Sequence, residues 1–223
     1  MKKIIKLVFL FSIIISIAGA FLVRNYGMKK TDIPTEMKDF SLEKRITKLD
    51  SYSNENDIEL YDAEQMIEDE IESGKETQCI VEACPTGCTY VNNTVLMQEV
   101  EVKKVIKGNC EYKKIWISNN GSTINVDKDG EVTLVGYDYG LMKEKNKYLI
   151  FCKASEINKW SNRKIYEIDD SMWFSYFNLD KDSNVLATDN NYDMEIEFYT
   201  DSSDVLKFYN SMKKRIIDEF CNE

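Results

Sequence analysis

Six cysteines, Cys79, Cys84, Cys88, Cys110, Cys152 and Cys221, are the side chains of this 223-residue chain with the widest covalent chemistry, and no histidine accompanies them. Without imidazole, Ser-His-Asp and Cys-His nucleophile systems, His-ligated zinc and imidazole acid–base catalysis are all removed. Three readings remain for the sulfurs: disulfides, a metal site, and free or partly paired thiols. An even number of cysteines in an oxidising compartment reads as a disulfide framework, with fifteen full pairings open to six residues. The rival use is zinc, wrapped by Cys79-x4-Cys84-x3-Cys88 and one distant cysteine, a spacing that departs from the usual C-x2-C knuckles. Disulfides are the expectation, with all six residues as candidates.

Other residue types suggest chemistry less sharply. Asp180-x-Asp182-x-Asn184 opens like a calcium loop, but Val185 stands where such a loop needs Gly and Asn191 where it needs a bidentate Glu. A polar turn is the simpler expectation. Aromatic residues that could contact a ligand are Trp173 and Tyr176, in the run Met172–Phe177, and Tyr137 and Tyr139, flanked by Gly136 and Gly140. The alternative for each is that it fills the protein core. Lys103, Lys104, Lys107, Lys113 and Lys114 form either a basic patch or, the preferred reading, the solvated face of a half-buried sheet. Acids are abundant, so paired carboxylates or a Ser–Lys pair stay open, yet no motif selects a catalytic, cofactor or metal residue. No cofactor is expected.

The elements that must position these side chains follow from hydrophobic period. Asp62 can cap a helix whose face is Met66, Ile67 and Ile71, with Gly74 closing it. Acids crowd this region: ten lie between Glu55 and Glu76 against one base, Lys75. A solvated helix face explains them. After Gln78 the period changes to two. Strands are expected at Cys79–Ala83, Thr94–Lys107 (Leu96, Val100, Val102 and Ile106 against Gln98 and Lys104, ending at Gly108), Tyr112–Ser118, Val132–Val135 after an Asp129-Gly130 turn, Lys147–Cys152, Arg163–Ile168 and Met194–Tyr199. An amphipathic helix is expected from Ser203 to Cys221, with Val205, Leu206, Tyr209, Met212, Ile216 and Phe220 as its stripe. The fold class is mainly β with flanking helices (α+β): an OB-like Greek-key barrel.

The segments Val100-Glu-Val-Lys-Lys-Val-Ile-Lys-Gly108, Ile115-Trp116-Ile117, Gly140-Leu141 and Lys147-Tyr148-Leu149-Ile150-Phe151 follow one order along the chain. In that order the chain resembles the netrin-like and tissue-inhibitor-of-metalloproteinase-like OB-fold domains, including their bacterial exported relatives. The resemblance implies a barrel, a packed helix and paired cysteines over residues 78–170 and as far as 221. It does not imply metalloprotease inhibition. The animal inhibitors chelate zinc with the free amine of an N-terminal Cys, whereas the nitrogen of Cys79 lies in mid-chain as an amide.

The beginning of the chain sets the compartment. Lys2, Lys3 and Lys6 precede an uncharged run from Leu7 to Val23, about 26 Å of helix and close to the hydrocarbon thickness once Ile4, Ile5 and the Lys6 stem are added. Residues 1–23 are therefore expected to be a transmembrane helix or signal segment, residues 24–57 a polar stalk, and residues 58–223 an extracytoplasmic domain. Cleavage near Ala20, within Ala18-Gly19-Ala20, would secrete the protein instead. The net charge of −10, with three Lys and no acid in residues 1–23, leaves −13 on the remainder, which argues against nucleic acid as a partner. The expected function is a membrane-tethered, non-catalytic extracytoplasmic binding or interaction domain, its partner an envelope protein or glycan. The alternatives are an extracellular hydrolase using carboxylates or a Cys-bound metal, and a structural cell-envelope subunit.

Overall fold

From Cys79 onward the period of two in the sequence becomes paired strands. The computed structural model describes residues 41–42, 63–92, 95–126, 132–136, 141–155, 163–180, 185–186, 197–200 and 203–221. All but Val126 belong to a unit made of Pro34–Asn125 and Val132–Glu223; Val126 falls in a second unit, Met1–Ile33 with Val126–Glu131. The elements are β1 (Ser41–Leu42), α1 (Ala63–Glu76), β2 (Cys79–Asn92), β3 (Val95–Lys107), β4 (Lys114–Val126), β5 (Val132–Gly136), β6 (Tyr148–Ala154), β7 (Ile165–Ile168), β8 (Tyr176–Asn178), β9 (Val185–Leu186), β10 (Tyr199–Thr200) and α2 (Ser203–Cys221).

Five strands close into a barrel. β2 runs antiparallel to β3 and β3 to β4, β4 meets β7 in parallel, and β6 runs antiparallel to both β7 and β2. Each of the five is bonded on both sides, which removes the open edges that would otherwise invite pairing with another chain. β8 joins β6 at Tyr148–Ile150, beyond the stretch Cys152–Ala154 that pairs with β7. β5 continues the sheet beyond β4, with β1 alongside it in parallel. β9 and β10 form a separate parallel pair. The protein is thus mainly β, with a closed five-stranded barrel and two helices.

Both helices lay their apolar sides on this barrel. α1 buries Ile67 and Ile71; α2 buries Val205, Phe208, Tyr209, Met212 and Ile216. Between α2 and the sheet lies an aromatic cluster. Tyr209 stacks on Phe198 at 4.2 Å and meets Phe174 edge-on at 4.9 Å, while Phe151 meets Phe220 edge-on at 5.1 Å. Each such ring taken from water contributes about 1.5–3 kcal/mol.

Two glycines show where the expected boundaries hold and where they move. Gly108 ends β3 as expected, at φ +78°, and a Cβ there would overlap the carbonyl oxygen of Gln78. Gly74 was expected to close α1. Instead it lies inside the helix, which continues to Glu76, and it is the point where the helix backbone approaches Phe151 (3.0 Å from an ideal Cβ) and Phe220 (3.1 Å). The helix ends when the Thr77 amide and hydroxyl bond back to Ser73 and Gly74 carbonyls.

Gln98, expected on the polar side of its strand, is only 3% exposed. It shares a strand face with Leu96 and Val100, and its amide is satisfied there. Nε2 donates to the Met142 carbonyl at 2.9 Å while Oε1 accepts from the Met142 amide at 2.9 Å. β2 and β4 are also longer than the apolar runs that announce them. Around Met194–Tyr199, the described strand is only Tyr199–Thr200. The segments expected at residues 1–23 and through most of 24–57 lie outside the described residues, as do Tyr137, Tyr139 and Asn184. Among the described residues no helix is long and apolar enough to cross a membrane.

Candidate binding face

An aromatic and cationic cluster gathers where β2, β4 and the start of β7 meet. Tyr90 near the end of β2 and Trp116 on β4 lie edge to face, with ring centroids 5.9 Å apart. The Arg163 guanidinium lies 3.8 Å from the Tyr90 centroid and 5.5 Å from that of Trp116. Its approach is fixed by the backbone next to it, because the Trp116 amide donates to the Lys164 carbonyl at 2.8 Å. Lys164 Nζ in turn lies 5.0 Å above the ring of Tyr112, one of the exposed large hydrophobic side chains. Beside this group Glu99, directly opposite Trp116 in the β3–β4 ladder, accepts from Thr86 at 2.9 Å and from Lys114 at 3.0 Å. The result is an accessible platform of rings and positive charge with one anchored carboxylate. Its chemistry is stacking, hydrogen-bond donation and recognition of negative charge.

The aromatics chosen from sequence divide differently. Trp173 is 41% exposed, but Tyr176 is 2% exposed, meets Tyr148 edge-on and pairs with Ile150 in the ladder. Tyr176 is therefore a core residue, the alternative stated for it, as are Met172, Phe174 and Phe177. The platform residues had no sequence signal of their own, because Tyr90, Trp116 and Arg163 meet only through strand pairing.

The five lysines resolve mostly into ion pairs with acids on the same sheet. Lys103 and Lys113 meet Glu101, and Lys114 meets Glu99. Lys104 and Lys107 instead line a cleft of about 500 Å³ between β3 and the C-terminal turns of α1 and α2, with Lys75 and Glu219. Lys107 also donates to the Lys75 carbonyl, which ties it to the end of α1.

Buried acids are the other place where chemistry was open. Burial pushes the Glu70 carboxyl up to about 7, against the pull of the Trp173 and Phe174 amides that donate to it at 3.0 and 2.8 Å. Burial works on Asp169 in the same sense, yet hydrogen bonds from Ser171 and Thr77 hold its carboxyl below the ordinary range. These two acids fasten the 169–175 segment to α1. Among the described residues no three Cys, Asp or Glu side chains are arranged to hold a metal ion, so Cys79, Cys84 and Cys88 do not converge on one. No two of the six cysteines are bonded to each other in this structure. Cys79 and Cys152 are buried, Cys84, Cys110 and Cys221 half-buried, and Cys88 exposed.

The chain matches no protein-family model and no curated protein.

Proposed function

We propose that this chain is a membrane-tethered, extracytoplasmic binding domain whose OB-like barrel takes an anionic glycan on the Tyr90–Trp116–Arg163 platform. The observation that carries the reading is the guanidinium held against two aromatic rings on an accessible barrel face. The strand order supports it. Numbered in chain order, β2, β3, β4, β6 and β7 have the antiparallel pairings and the single parallel closure of a five-stranded Greek key, a fold that binds oligosaccharides and oligonucleotides on its second and third strands and the loops between strands one and two and four and five. Tyr90 flanks the first of these loops, Arg163 ends the second, and Trp116 sits on the third strand. An exported portion at −13 disfavours a polyanion as long as nucleic acid. A single uronic or phosphorylated sugar unit asks only for the local charge of Arg163 and Lys164. The uncharged run Leu7–Val23 supports the tether, with secretion after cleavage near Ala20 as the other route.

The test titrates the full chain in detergent with neutral and uronic-acid oligosaccharides, following tryptophan fluorescence and calorimetry. Saturable binding of the acidic set is expected, weakened roughly tenfold or more by Trp116→Ala or Arg163→Ala and unchanged by Trp173→Ala. Equal binding by all three variants, or none by the unaltered protein, would sink the reading.

A further inference from the structure

We propose that Cys79 and Cys152 form a cross-strand cystine that fastens the β2–β6 seam of the barrel. The two residues are direct partners in the antiparallel register of these strands. Partners of that kind have Cα atoms about 4.5–5.5 Å apart and side chains on one face of the sheet, which lies inside the about 4.4–6.8 Å range that a disulfide spans. Each thiol is the first electrostatic neighbour of the other. Both belong to the core, at 3% and 0% exposure.

No other cysteine has such a partner. Cys84 faces Glu101 across the β2–β3 ladder and lies one residue beyond the last β2–β6 partner, Ala83. Cys88 sits where the β2–β3 register slips between Pro85 and Thr89. Cys221 is the final residue of α2. Cys110 is the nearest rival, half-buried against the same core, but its thiol is directed to the Tyr112 carbonyl at 3.7 Å and to Tyr166.

The chemistry of closure is asymmetric. The neighbouring Cys152 thiol holds Cys79 below the ordinary thiol range, whereas Cys79 and burial raise Cys152 well above it. Cys79 is therefore the first nucleophile. Its thiolate attacks a low-molecular-weight disulfide, forms a mixed disulfide and releases one external thiolate. Cys152 then loses its proton and displaces the second external thiolate from Cys79. Two cysteine thiols are oxidised, one external disulfide is reduced, and the two protons end on the two released thiols. Because both sulfurs are buried, the reaction proceeds during folding or through opening of the β6 end.

The experiment refolds the reduced full chain in a cystine–cysteine buffer and quenches it with an alkylating agent in denaturant. Proteolytic peptides are then mapped without reduction. The expected result is one disulfide-linked species joining the Cys79 and Cys152 peptides, present also in Cys110→Ala. A link from either residue to Cys110 or any other cysteine overturns the proposal. So does full alkylation of both under excess cystine. The readout needs no change at positions 79 or 152, and it is independent of any glycan.

Discussion

Burial keeps a proton on Glu70 up to about pH 7, with a consequence that can be measured. Below about pH 4.5 its carboxyl is neutral in the folded and unfolded chain alike. Between 4.5 and about 7 the folded chain keeps a proton that the unfolded chain has released. Stability contributed here is therefore full at low pH, falls as pH rises through this window, and is lost above about 7. The group is worth about 2–3 kcal/mol between pH 5 and 8, on the order of magnitude that such a shift carries. Urea unfolding at the two pH values should show that loss in the unaltered protein. Glu70→Gln, always neutral and still able to accept from Trp173 or Phe174 through its carbonyl oxygen, should remove it. An unchanged slope would mean that Glu70 ionises freely in the fold. Asp169 does not disturb this comparison, because its carboxyl is held below the ordinary range and its own stability is lost only at lower pH.

α2 is held by more than its apolar stripe. Lys213, on the helix, donates to Glu197 at 2.6 Å, and the second oxygen of Glu197 accepts from the Asn178 amide at 2.6 Å; both charged side chains are buried. Lys213→Met strands a buried carboxylate and should cost about 3–5 kcal/mol by chemical unfolding. Lys213→Met with Glu197→Gln removes both charges, keeps the acceptor for Asn178, and should recover most of that loss. Failure of the pair to recover would assign the cost to packing of the Lys213 stem instead. The stripe itself was legible, since the spacing of Val205, Tyr209, Met212 and Ile216 bounds the helix as found. Lys213 was not, because its role depends on a residue 16 positions away. The same limit hid Gln98, whose partner Met142 lies 44 positions on, and made Gly74 read as a stop. A period reports which face is apolar and how often; it does not report which neighbour comes near enough to need a glycine or to satisfy an amide. The candidate platform was illegible for that reason too: Tyr90, Trp116 and Arg163 come from three strands or their flanks.

Across the whole molecule, the seam between β2 and β6 joins residues about 70 positions apart in the chain. A cystine across a ring of that length stabilises by about 4 kcal/mol in the chain-entropy account. For a domain of this size that corresponds to a melting temperature roughly 10 °C higher in the oxidised than in the reduced protein. Scanning calorimetry with and without reductant checks this, with Cys79→Ala/Cys152→Ala as the control whose melting should ignore reductant. A reductant effect that survives in the double variant would trace it to other thiols.

Closing the barrel also fixes when the molecule can fold. The β2–β6 and β4–β7 contacts span long stretches of chain, and such non-local pairing is slow, on the order of milliseconds to seconds. The rings of Phe174 and Phe198 gain their covering partner, Tyr209, only from α2, the last element in chain order. Until that helix docks, the aromatic cluster stays open to solvent, so a barrel that has already closed still lacks the cover that α2 supplies.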